Sequence, residues 1–245
     1  IIPDIVITVG QSEKFFLTKG FLKNKSTVYI RELHFATNFR ILLAKSQLQI
    51  LKAKIQNFFD FQLICRFYDA VICLTPDDLQ ANWKGRGNAY FIPNPLTIDF
   101  PMEINSSYNK KIISVGRLTH QKNYSSLIKS FSKVASDFDD WTVEIYGTGS
   151  EHHHLERLIE RLALTDRVKL MNHTDDIGSK LSSAQFFVLS SIMEGFPLVI
   201  AEAMAHGLPV ISYDCPFGPS FIIQHGKNGI LVPLNDEEGL TKAME

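Results

Sequence analysis

A chain of 245 residues with 45 % apolar and 21 % charged side chains has the length and balance for one large α/β domain or two smaller ones. The net charge is −1; Lys and Arg exceed acids by 12 to 9 over residues 1–109 and trail them by 13 to 17 over residues 110–245. That gradient is too mild for nucleic-acid binding. The three cysteines, Cys65, Cys73 and Cys215, have no CxxC or Cys/His metal spacing, and their odd count gives no disulfide framework. A reducing, cytoplasmic setting fits this usage, and no apolar run approaches the ~20 residues a bilayer span needs.

In chain order, Asp4–Val9, Thr27–Ile30, Ala70–Leu74 and Tyr90–Ile92 are short, apolar and β-branched or aromatic, as buried strands are. The opening IIPDIVITVG lacks a signal peptide's basic start, and the closing DEEGLTKAME stops within an amphipathic pattern. Together they read as a fragment. Between the second and third strands, Asn38–Arg66 has Leu42, Leu43, Ile50, Leu51, Ile55, Phe58 and Phe59 at roughly helical spacing. It also carries five basic residues (Arg40, Lys45, Lys52, Lys54, Arg66) against one acid, Asp60. Such a helix suits an anionic membrane surface, but packing on its own sheet is the plainer expectation. The proline-rich stretch FIPNPLTIDFPMEINSSYNK reads as a linker, so the division expected is 1–105 and 106–245.

Beyond the linker, strands and helices alternate. The strands expected are Lys111–Val115, Thr142–Tyr146, Val168–Met171, Phe186–Ser190, Val210–Tyr213 and Ile230–Val232. Helices are expected from about Lys122, from about Ser150, over Leu198–Ala205, near Phe221 and at the end. This alternation predicts a parallel, doubly wound sheet, in which ligands bind beyond the carboxyl ends of the strands. After the first of these strands, GRLTHQKN places Arg117 and Lys122 around a turn opened by Gly116, a setting suited to a diphosphate. After the next, Gly147 and Gly149 permit close backbone approach. In SSIMEGFPLVIAEAMAHGLPVIS, Glu194 follows a strand, Pro197 opens a helix and Glu202 lies within it. A rise of ~1.5 Å per residue sets Glu202 about 8 Å along that helix. A nucleotide sugar across the helix end would give its sugar hydroxyls to Glu194, its phosphates to free N–H groups near Leu198 and Val199, and its ribose to Glu202.

The spaced glutamates, GRLTHQKN about eighty residues before them, EAMAHGLPVI and NGILVP together resemble the retaining glycosyltransferases of family 4. That resemblance implies the GT-B fold: two Rossmann-like doubly wound domains, the N-terminal one incomplete here. It implies a nucleotide-sugar donor, a UDP-sugar by frequency, and donor contacts from Gly116, Arg117, Lys122, Gly147, Gly195, Phe196, Pro197, Leu198, Val199 and Glu202. The catalytic residues carried over are Glu194 and His34, the latter from STVYIRELH, where it would stand beside the donor sugar. Cys215–Pro219 (CPFGP) resembles enzymes of cell-surface polysaccharide and lipid-linked oligosaccharide synthesis, many of which carry an acid where this chain has Phe221. The implied acceptor is a saccharide or lipid-linked saccharide, with a location at the inner face of the cell membrane. A sugar-nucleotide epimerase and a non-catalytic binding remnant are the alternatives.

No cofactor and no metal are expected. His152, His153 and His154 are adjacent on a helix and should diverge. Asp137 and Asp139 spell a DxD near a helix end, and Asp175 and Asp176 read as turn residues.

Overall fold

The computed structural model describes residues 3–9, 26–44, 46–98 and 109–245, in two compact units, Ile1–Asn94 and Pro95–Glu245. The expected division at 105 falls outside the described residues.

The first unit is a parallel sheet of β1 (Ile5–Thr8), β2 (Val28–Glu32), β3 (Ala70–Cys73) and β4 (Ala89–Phe91), in that order. Helices α1 (Phe39–Leu42) and α2 (Gln47–Asn57) follow β2, and the chain continues through a π-type turn at Phe58–Leu63 and a 3-10 turn at Ile64–Phe67. Helix α3 (Pro76–Asn82) follows β3. The Thr75 hydroxyl accepts the Asp78 N–H at 3.3 Å, and Pro76 takes the first helical position, where its missing N–H costs nothing. The core gathers Tyr29, Leu33, Phe61, Cys65, Tyr68 and Trp83. The Trp83 indole donates to the Thr37 hydroxyl at 2.9 Å, and that hydroxyl donates to Asp78.

The helical stretch after β2 corrects the expectation of an apolar face laid on its own sheet. Its buried residues are Ala53, Asn57, Asp60, Phe61 and Cys65, whereas Leu48, Leu51, Ile55, Phe58 and Phe59 are 51–77 % exposed. Arg40 is not a free surface cation, because it is paired with Asp60 at 2.7 Å in a largely buried setting.

The second unit is a six-stranded, all-parallel sheet: β5 (Lys111–Val115), β6 (Thr142–Tyr146), β7 (Val168–Met171), β8 (Phe186–Leu189), β9 (Val210–Asp214) and β10 (Gly229–Pro233). Its order is β10-β9-β8-β5-β6-β7, so the winding reverses between β5 and β8. Helices α4 (Tyr124–Val134), α5 (His152–Arg161) and α9 (Glu237–Met244) pack into the core on one face. Helices α6 (Ile177–Ser182) and α7 (Leu198–Ala205), with the short α8 (Pro219–Ile222), belong to the other. In α4, Tyr124, Leu127, Ile128, Phe131 and Val134 recur at helical spacing and are all buried. Each such large side chain contributes about 1.5–3 kcal/mol of burial. Ser114 on β5 donates to the Val188 carbonyl of β8 at 2.6 Å, tying the two strands at the reversal.

Candidate functional site

A sheet whose winding reverses leaves a crevice at the carboxyl ends of the two strands flanking the reversal, because their crossovers depart to opposite faces. Here those strands are β5 and β8, followed by Gly116–Asn123 and Ser190–Pro197. The two loops are laced together by side chains and backbone. The Gln121 amide donates to the Met193 carbonyl at 2.8 Å, the Ile192 N–H to the Gln121 carbonyl at 2.9 Å, and the Ser190 hydroxyl to the Lys122 carbonyl at 2.9 Å. At their centre, Lys122 Nζ lies 2.7 Å from Glu194 Oε1, with the side chains 14 % and 9 % exposed.

This pair joins two residues that the sequence places far apart. The sequence assigns Lys122 to the diphosphate and Glu194 to the sugar separately; in the structure the two charges are paired with each other. Lys122 also precedes α4: it closes a 3-10 turn at His120–Lys122, and Asn123 then takes a left-handed conformation (φ 49°) before the helix begins. Arg117 is different. It is exposed, and its side chain makes no hydrogen bond or ion pair among the described residues, so the guanidinium is available to an incoming anion.

The glycines divide by what they approach. Gly116, at φ 153°, has Tyr124 Oη and Lys122 Cε at 2.9 and 3.0 Å from where a Cβ would stand. Gly147, at φ 146°, would place a Cβ 2.1 Å from the Gly116 carbonyl oxygen. Its close approach is thus to the backbone of the β5 loop, where the Gly116 N–H donates to the Tyr146 carbonyl and the Leu118 N–H to the Thr148 carbonyl. Gly218, at φ 121°, would overlap Pro197 Cδ, so Cys215–Pro219 buttresses the loop that carries Glu194. Phe221 lies beside Phe196, ring centroids 6.2 Å apart.

Pro197 sits one position ahead of α7, as its N-cap. The N–H of Leu198, expected to be free for phosphate, donates to the Phe196 carbonyl at 2.9 Å, because the chain turns tightly at Pro197. Gly195 and Val199 are partly exposed on either side of that turn. Glu202 is half-buried within α7, and its carboxylate makes no hydrogen bond or salt bridge among the described residues. Burial pushes its pKa up, and neighbouring His206 opposes that shift.

Two buried hydroxyls beside these loops carried no sequence signal. Among the described residues Ser191 Oγ has no hydrogen-bond partner, and Tyr124 Oη makes no hydrogen bond of good geometry. Burial pushes the Tyr124 phenol up, with the Glu194 charge adding to the effect.

His34 belongs to the first unit, just beyond β2. It is exposed, with Nε2 3.6 Å from Glu32 Oε2. The His152–His154 expectation is corrected. Glu156, one turn on, approaches both His153 Nδ1 (2.9 Å) and His152 Nδ1 (3.3 Å), and the three donor groups lie within 4.8 Å of one another. Asp137 and Asp139 line a cavity of about 650 Å³ with Lys110, Gln185 and Pro209, at the amino ends of the strands and away from the crevice. Asp176 caps α6, accepting the Ser179 N–H at 3.4 Å.

The family described as glycosyl transferases group 1 matches residues 99–245. An uncharacterized glycosyltransferase of Haemophilus influenzae is 32 % identical over 180 residues, 72 % of this chain and 51 % of that protein. The poly(glycerol-phosphate) alpha-glucosyltransferase of Bacillus subtilis is 30 % identical over 183 residues, 72 % of this chain and 27 % of that enzyme. The chain therefore spans about half or less of the length of these curated relatives. Among solved structures, S. aureus TarM in complex with fondaparinux, alpha-GlcNAc-glycerol and UDP superposes with a TM-score of 0.80 at 22 % identity, over 97 % of this chain and 47 % of that one.

Proposed function

Because the chain belongs to the glycosyl transferases group 1 family and has the GT-B fold, we propose that it is a retaining hexosyl- or N-acetylhexosaminyltransferase. It takes its sugar from a nucleotide donor, a UDP-sugar, and delivers it to a saccharide or lipid-linked acceptor in cell-surface polysaccharide synthesis. The observation that carries this reading is the Lys122–Glu194 pair at the winding reversal, with the exposed Arg117 in the same loop as Lys122 and Glu202 in the helix that follows Glu194. The UDP and glycan in the TarM complex and the polyol-phosphate in the B. subtilis enzyme's name support the donor and acceptor classes.

In this reading Arg117 and Lys122 receive the diphosphate, drawing Lys122 off Glu194. Glu194 is thereby released to orient sugar hydroxyls, and Glu202 accepts from the ribose. The bond from the sugar's anomeric carbon to the phosphate oxygen breaks, the acceptor oxygen bonds that carbon from the same face, and its proton passes to the departing phosphate. Charge stabilisation and orientation then carry catalysis, without a covalent nucleophile or a metal. His34 contacts the sugar from the acceptor-binding unit. Gly116, Gly147, Gly195, Phe196, Pro197, Leu198 and Val199 shape the pocket.

Titration with UDP-sugars, with UDP release followed in the presence and absence of acceptor, tests the proposal. Acceptor-dependent release is expected. Interconversion of the sugar would make the chain an epimerase, and binding without turnover a remnant.

A further inference from the structure

Arg31 is a buried cation that no acid pairs with among the described residues. It lies near the carboxyl end of β2 and is 4 % exposed; among the described residues Nε and Nη1 have no hydrogen-bond partner, and the guanidinium stands over the Tyr68 ring, 5.7 Å from its centroid. The Tyr68 hydroxyl is itself engaged as the acceptor of the Thr8 hydroxyl at 3.0 Å. A guanidinium cannot shed its proton at any ordinary pH, so burial without a counter-charge is sustained only at a large desolvation cost.

The surroundings define what is missing. Arg31 lines a small cavity of about 30 Å³ with Val9, Glu32, His34, Arg40 and Phe61, at the carboxyl edge of the sheet. Arg40 is already neutralised by Asp60, and Glu32 faces His34. Among the described residues one positive charge is left over, on a planar group whose directed N–H donors suit an oxyanion. A space of that size holds a group of only a few atoms, so the bulk of the ligand must lie outside it.

We propose that the carboxyl edge of β1 and β2 is an anion subsite, in which Arg31 receives a singly charged oxyanion, a phosphodiester or a carboxylate, carried by a larger molecule. The subsite stands on the unit to which the transferase reading assigns the acceptor, but its existence does not rest on that reading.

Thermal melts and calorimetry of the intact protein with dimethyl phosphate, with acetate, and with NaCl at matched ionic strength test it, in parallel with UDP titration. In the wild type, one or both organic anions should raise the melting temperature saturably beyond the effect of NaCl, and whichever acts names the source chemistry. The response should persist in Arg117→Gln, which lacks a cation of the donor site. It should vanish in Arg31→Met, which removes the buried charge and should melt no lower than the wild type in NaCl alone. Arg31→Lys keeps the charge without the fork and should weaken anion binding at least tenfold with UDP affinity unchanged, a check independent of whether Arg31→Met folds. No response beyond NaCl, or an equal response in Arg31→Lys, overturns the subsite. Loss of UDP binding by the wild type would instead count against the donor site alone.

Discussion

Glu202 shows how a single carboxylate reports on a site. It is half-buried in α7 and pushed above the usual carboxylate range by desolvation, which neighbouring His206 opposes. A raised carboxyl pKa means that the charged form is disfavoured in the folded state. The stability it contributes is therefore present below the unfolded pKa and is lost as pH rises through the folded one. Replacing it with Gln should raise the melting temperature at pH 7 and leave it nearly unchanged near pH 4; an equal gain at both would show that the charge is not the cause. If that charge is kept for the ribose, Glu202→Ala should weaken UDP binding by about 1–3 kcal/mol, the order for a hydrogen bond to a charged group. Unchanged affinity by calorimetry in a folded variant would take Glu202 out of the site. The places of the two glutamates, one in the loop after β8 and one within α7, were legible in the sequence, because strand, loop and helix each leave their own pattern. The partner of Glu194 was not, since Lys122 lies 72 residues away and only the strand order brings the two together. The buried hydroxyls of Ser191 and Tyr124 have no pattern to read at all.

At the scale of elements, the strands of the second unit follow the sequence closely, because buried parallel strands are continuous apolar runs bounded by turn residues. Helices α3 and α6 were not expected. They are six or seven residues long, too short for apolar periodicity to declare itself, and are set instead by the caps Thr75 and Asp176. The glycine turn after β6 was legible as a close approach but not as one to protein. Gly147→Ala, forced into a left-handed φ with its Cβ against the Gly116 carbonyl, should cost at least about 2 kcal/mol in urea unfolding. A loss within error would mean that the turn relaxes freely. The laced loops make a sharper demand. Glu194→Gln releases Lys122 from its counter-ion, so UDP alone should bind at least as tightly as to the wild type, while acceptor-dependent UDP release falls. Weaker UDP binding in that variant would mean that the pair holds the loop rather than competing with the diphosphate.

For the whole molecule, the proposed lipid-linked acceptor makes a demand on one exposed surface. No helix among the described residues is long and apolar enough to cross a membrane. Yet Leu48, Leu51, Ile55, Phe58 and Phe59 recur at helical spacing along α2 and the following turn and face solvent, with Lys52 and Lys54 exposed beside them. The segment's single acid, Asp60, is buried against Arg40, so it does not offset those lysines at the surface. Lys45, counted with them in the sequence, lies outside the described residues. If the acceptor is lipid-linked, this face should rest on an anionic leaflet, its apolar side chains entering the interface and each well-placed lysine contributing about 1 kcal/mol. Sedimentation of the protein with vesicles should then rise with anionic lipid content and fall with salt, since exposed charges are screened over ~10 Å at 0.1 M. Combined Lys52→Gln and Lys54→Gln should weaken binding at low salt, and combined Leu51→Ser and Phe58→Ser should weaken it at any salt, because only the first acts through charge. Vesicle binding unchanged in both variants, or absent from the wild type at low salt, would remove this face from the membrane and leave a soluble saccharide as the acceptor.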